Sequence, residues 1–146
     1  MMISDITAPS QTEALTLVFE LTHPPEKVWR ALTIPELMEA WLLPSRGFKP
    51  EVGAAFTFQA PRQENWDGVV HCRLLAIQEP QLIRYSWCVG ALNTEVTFTL
   101  EPSATGTRLT LEHTGFQEDQ KRNFAGARYG WKSMAQKLLD LLDRQV

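Results

Sequence analysis

Hydrophobic and polar positions alternate with period two over much of the chain, which predicts strands with one dry face and one wet face. The first run sets Leu15, Leu17, Phe19 and Leu21 against Thr16, Val18 and Glu20. Further on, Ala54, Phe56 and Phe58 alternate with Ala55, Thr57 and Gln59, and Trp66, Val70, Cys72 and Leu74 oppose Asp67, His71 and Arg73. After Glu79-Pro80-Gln81, Ile83, Tyr85, Trp87 and Val89 oppose Arg84 and Ser86. Val96, Phe98 and Leu100 oppose Glu95, Thr97, Thr99 and Glu101; then Leu109, Leu111 and His113 oppose Arg108, Thr110 and Glu112. Short polar connections between such runs predict an antiparallel meander.

Other segments carry a helical period. Pro24 and Pro25 predict the start of a short helix, because a first-turn residue has no intrahelical use for its amide; Val28, Trp29, Ala31 and Leu32 give that helix an apolar side. Thr33 and Pro35 predict a second short helix, with Thr33 and Glu36 at capping-box spacing and Leu37, Met38 and Trp41 facing inward. Pro44 to Pro50 reads as a loop with room for a short edge strand. From Glu118 to Arg144, Phe124, Trp131, Met134, Ala135, Leu138 and Leu142 fall on one helical stripe, with Glu118 and Asp119 in the first turn as the helix dipole favours. At about 1.5 Å per residue such a helix is roughly 40 Å long and can cross the dry face of a six-strand sheet. The predicted fold is α+β: a curved antiparallel sheet of six or seven strands around a long C-terminal helix, with two short helices between the first two strands. Residues 1–12 are polar and irregular and are expected to form a flexible N-terminal arm, leaving 13–146 as a single domain.

Composition narrows the class. With 146 residues, 44% hydrophobic and 21% charged, the chain can bury a core without disulfide or metal support. A formal charge of −3 supplies no chain-wide attraction to nucleic acid, and no apolar run is long enough for membrane insertion. Cys72 and Cys88 do not form a CxxC pair, and the N-terminal residues lack the pattern of a secretory signal. A cytoplasmic protein with free thiols is expected.

The order of elements resembles the helix-grip, or START-like, fold of the SRPBCC superfamily. His23–Trp41 (HPPEKVWRALTIPELMEAW) is similar to the strand–helix junction of proteins related to the activator of the 90-kDa heat-shock chaperone ATPase. That family typically has a proline-started helix with a Val-Trp pair, then Pro-Glu and a tryptophan. Pro50–Phe56 (PEVGAAF) resembles its Val-Gly-Gly-x-Phe hairpin, with Ala54 in place of the second glycine. Gly106–Phe116 and Gly130-Trp131 resemble its last strand and terminal helix, so the resemblance runs from about Leu15 to Leu142. It implies an internal pocket for a hydrophobic small molecule; three scattered histidines and two isolated cysteines do not make a recognisable metal site, and neither a metal nor a cofactor is expected. The fold also carries lipid binders, cyclases, oxygenase subunits and cochaperone domains, so it does not fix the function.

The inward parity carries the candidate chemistry. Trp41, Phe56, Phe58, Trp66, Tyr85, Trp87, Phe98 and Trp131 either fill a core or line a pocket that stacks on ligand rings. Cys72 and Met134 share their side. His113 is either a hydrogen-bonded strand-end histidine or a partner for the ligand's polar end. Gly126 and Gly130 each cost about 1 kcal/mol against alanine within a helix. They serve either close helix–sheet contact or open volume. No GxSxG, HExxH or phosphate-loop motif is present. The expected function is binding of a hydrophobic, ring-containing small molecule. The alternatives are a cyclase or hydrolase of polyketide-like compounds using His113 or Tyr85 as acid or base, and a chaperone-ATPase regulator. The oligomeric state, homodimer included, is left open.

Overall fold

A computed structural model describes residues 2–8 and 13–144. The strands are β1 (Met2–Asp5), β2 (Ala14–Leu21), β3 (Ser45–Arg46), β4 (Ala55–Gln59), β5 (Val69–Gln78), β6 (Leu82–Val89), β7 (Leu92–Ser103) and β8 (Gly106–Thr114). Helices α1 (Pro25–Thr33) and α2 (Pro35–Trp41) lie between β2 and β3, and α3 (Lys121–Asp143) follows β8. The strands form one antiparallel sheet in the order β1-β2-β8-β7-β6-β5-β4-β3.

Period-two alternation sets the inner face. Leu15, Leu17, Phe19 and Leu21 of β2 are buried, and β8 pairs with them so that Leu17 meets Leu111 and Phe19 meets Leu109. The inner face curls around α3, whose Phe124, Trp131, Ala135, Leu138 and Leu142 are buried against it. The C-terminal half of α3 also packs on α1 and α2. Lys27 at the start of α1 donates from Nζ to the Leu142 carbonyl at 2.6 Å, and His23 Nε2 lies 3.0 Å from the Asp143 carboxylate. A cation and a donor thus meet the end of the helix where carbonyls lack intrahelical partners. This is the helix-grip arrangement.

The structure departs from the sequence reading in several places. Among the described residues the sheet has eight strands rather than six or seven, because β1 and β3 extend its two edges. Met2–Asp5, expected within an irregular arm, pairs with β2 from Met2↔Glu20 to Asp5↔Leu17. Four residues are too few for a legible period. What holds this strand is tertiary: Ile3 packs against the core, and Asp5 Oδ2 meets Arg128 Nε at 2.6 Å and Lys132 Nζ at 3.0 Å on α3. Residues 9–12 of the expected arm lie outside the described residues. Trp66 precedes β5 in a small bridge with Gln63 rather than lying in the strand. The capping box expected at Thr33 and Glu36 does not form: Ile34 is the N-cap of α2, and the Thr33 hydroxyl donates back to the Trp29 carbonyl at 2.8 Å. A capping box occurs instead at Gln117 and Gln120, and Glu118–Gln120 form a 3-10 turn ahead of α3. Among the described residues no helix is long and apolar enough to cross a membrane.

Candidate functional site

The N-terminal half of α3 stands off the sheet and leaves a cavity of about 510 Å³. This lies within the range of roughly 300–1,000 Å³ that small-molecule sites occupy. The sheet contributes Val70 from β5, Trp87 and Val89 from β6, Leu92 from β7 and His113 from β8. The loop before β5 adds Ala60, Gln63 and Trp66, and Leu43 closes one side beyond α2. Helix α3 contributes Arg122, Gly126, Gly130 and Met134 along one ridge and Asn123, Ala127 and Trp131 along the next. Residues four apart lie one above the other on a helix, so a single face borders the cavity over three turns.

The glycines account for the opening. A methyl group built on Gly126 would meet no atom within 4 Å, and one on Gly130 only the Met134 Cε at 3.9 Å. Neither glycine lets the helix approach the sheet, so close contact is not their role. Each leaves volume that an ordinary side chain would take.

The inward residues divide into two groups. Trp66, Trp87, His113, Gly130, Trp131 and Met134 line the cavity, whereas Trp41, Phe56, Phe58, Cys72, Tyr85 and Phe98 do not. The second group fills the far end of the interior. Phe56 packs edge-on against Phe58 at 5.5 Å and Tyr85 at 5.4 Å, and Trp41 meets Phe98 at 6.1 Å while its Nε1 donates to the Ala31 carbonyl. Burial pushes the Cys72 thiol and the Tyr85 phenol well above their ordinary ranges, so both stay neutral. Trp87 joins the halves, 5.6 Å from Phe58 on one side and 5.4 Å from Trp131 on the other.

His113 is fixed by its neighbours. Trp131 Nε1 donates to its Nδ1 at 2.9 Å, and an indole N–H can only donate. Nδ1 therefore carries no proton. Nε2 carries it and donates to the Thr94 hydroxyl at 2.7 Å, which donates onward to the Trp87 carbonyl at 2.7 Å. Burial pulls the His113 pKa down to about 3, so the ring is neutral near pH 7 with both nitrogens engaged. An imidazole held this way positions two tryptophans and has no free lone pair with which to take a substrate proton. Tyr85 is outside the cavity, so the candidate acid and base do not converge there.

Sequence reading missed Arg122, Asn123 and Ala127, although their spacing from Gly126 and Gly130 was available as a signal. Val70, Val89 and Leu92 have the inward parity but gave no reason to separate them from core. Leu43, Ala60 and Gln63 lie in connections without a period. A second hollow of 480 Å³ spans β3 to β6, lined by Arg46, Thr57, His71, Arg73 and Ser86 together with Ala55, Phe56, Cys72 and Cys88; Phe56 and Cys72 thus border this hollow and not the cavity under α3.

The model of the family described as Activator of Hsp90 ATPase homolog 1-like protein matches residues 22–143. Among solved structures, protein MLL2253 from Mesorhizobium loti is 41% identical over 91% of this chain and 98% of its own, with a TM-score of 0.84. A protein from Rhodobacter sphaeroides shares the fold at 22% identity and a TM-score of 0.75, covering 98% of this chain and 99% of its own. CalU16 from Micromonospora echinospora does so at 22% identity and 0.73, covering 94% and 79%. No curated protein matches the chain. The family match over most of the sequence, together with the 41% identity to a solved structure of the same fold, has one consequence: the chain belongs to the Activator of Hsp90 ATPase homolog 1-like protein family.

Proposed function

We propose that this protein binds a hydrophobic, ring-containing small molecule in the cavity beneath the N-terminal half of α3. One observation carries the reading: two helix glycines border an apolar space that no neighbouring atom fills. A helix selected only for stability would carry alanine at both positions, each worth about 1 kcal/mol in helix propensity alone. Trp66, Trp87 and Trp131 supply flat walls on which a ring can stack. The fold commonly binds hydrophobic ligands, which supports the same reading. The cyclase or hydrolase alternative has no convergent acid–base pair to support it. Chaperone-ATPase regulation rests on the family's name; the large exposed apolar side chains Ile6, Val52, Leu75 and Tyr129 come from separate segments of the chain. Free Cys72 and Cys88 fit a cytoplasmic setting.

The test is native mass spectrometry of the purified protein before and after solvent extraction, with binding of the neutral fluorophore N-phenylnaphthylamine measured in parallel. An extractable adduct, and a fluorophore affinity that falls at least about tenfold in Gly130→Leu while the thermal midpoint holds, is the expected result. A protein that carries nothing and binds no fluorophore would overturn the proposal. The same spectra report whether a homodimer forms.

A further inference from the structure

We infer that the ligand is an amphipathic anion, an apolar ring body that ends in a carboxylate- or sulfonate-like group held by Arg122 at the cavity mouth. This rests on the pocket reading above and names the ligand's chemical class.

The charge inventory of the walls motivates it. The chain carries 17 acidic and 14 basic side chains, yet among the described residues no Asp or Glu lines the cavity, and Arg122 is the one charged wall residue. His113 adds no charge, because Trp131 occupies one nitrogen and the other donates to Thr94. Among the described residues Arg122 has no ion pair, although Glu118 and Asp119 precede it in the adjoining turn. On the same helix Arg128 and Lys132 are both bound to Asp5. A guanidinium left free at the edge of an apolar space offers a planar, two-pronged site for a planar anion.

The geometry fixes which end of the ligand this must be. Arg122 and Asn123 sit at the start of α3, the glycines follow, and Met134 is farthest along, about 18 Å from Arg122 at 1.5 Å per residue. Along α3 polarity therefore runs one way: a charged and an amide group in the exposed first turn, then an indole ring and a thioether farther along. A carboxylate driven to the apolar end would lose its hydration with no compensating donor. Held at the mouth it keeps water on one side and Arg122 on the other, while the ring body reaches the tryptophans.

Two probes that differ only in charge test this: neutral N-phenylnaphthylamine and its sulfonated analogue, anilinonaphthalene sulfonate. Each is titrated by fluorescence against the wild type, Arg122→Gln, Arg122→Lys and Gly130→Leu, with Gly126→Leu as a second cavity block. Arg122 is solvent-exposed, so its replacement leaves the fold intact and its ion pair is partly screened. Arg122→Gln is expected to weaken the sulfonated probe about fivefold and leave the neutral probe within about twofold. Arg122→Lys should keep most of the sulfonate affinity, and the cavity blocks should weaken both probes. If Arg122→Gln moves both probes equally, or neither, while the blocks still act, the anionic head is refuted and the pocket stands. If neither probe binds the wild type, or the blocks leave both unchanged, the pocket reading fails and this inference with it.

Discussion

His113 joins both sides of the cavity through four groups in series, from the Trp131 indole to the Trp87 carbonyl. Its titration has a definite sign. The unfolded chain takes a proton on this ring near the ordinary 6.5, whereas the folded protein does so only near 3. Between those values the unfolded state binds more protons, so stability is complete above about pH 6.5 and declines on acidification, by up to about 1.4 kcal/mol per pH unit. Asp5 contributes lower on the scale. Burial would raise its pKa, but hydrogen bonds from Arg128, Thr7 and Lys132 outweigh that and hold it below its ordinary 3.8. Urea unfolding followed between pH 7 and pH 4.5 therefore isolates the histidine. His113→Gln should flatten that slope and, at pH 7, cost about 1–3 kcal/mol through the Trp131 N–H left without its acceptor. An unchanged slope in the variant would place the acid sensitivity elsewhere.

At the scale of elements, α3 combines a conventional C-terminal half with an N-terminal half that gives up helix propensity. Gly126→Ala should stabilise the protein by about 1 kcal/mol, since the added methyl meets nothing within 4 Å. For a chain of this size that is a rise of roughly 3 °C in the thermal midpoint, readable by circular dichroism. A fall would mean that the backbone there needs glycine for another reason. The elements themselves were largely legible: β2, β4 to β8 and the three helices follow their periods because one face of each is buried. β1 was not, because four residues carry no period and are held by partners distant in sequence; β3 falls in Pro44 to Pro50, where only room for a short edge strand could be read. The Thr33 cap failed for a local reason, since its hydroxyl reached the preceding turn of α1 first.

The whole molecule has an interior that is solid at one end and open at the other, and this division was not legible. Phe58 and Trp66 share the same parity, the same size class and the same apolar character, yet one is packed among Phe56, Tyr85 and Trp87 while the other edges the void. Which applies depends on how far α3 stands from the sheet, a distance set by all its contacts together. The glycines were the one sequence signal, and they left two readings open until the surrounding space was seen. Truncation should expose the division. Phe58→Ala is expected to cost about 3–5 kcal/mol, as expected for a large side chain deleted from close packing. Met134→Ala, beside space that is already empty, should cost about 1 kcal/mol or less. Denaturant midpoints of the two variants provide the comparison, and equal losses would argue for a uniformly filled interior.

The uneven seating of α3 has a kinetic consequence. Beyond Trp131 the helix is fastened by Ala135, Leu138, Leu139, Leu141 and Leu142 and by Lys27 at its last turn, whereas Phe124 is the one buried side chain in the turns before Trp131. Those first turns are held by Phe124 and by the Arg128–Asp5 pair, so under the proposed function they are the part of the helix that would swing, with a hinge near Trp131, to admit a guest without unzipping the sheet. Amide hydrogens of residues 123–130 should exchange with deuterium well ahead of those of 135–142, and a bound guest should slow the first set alone.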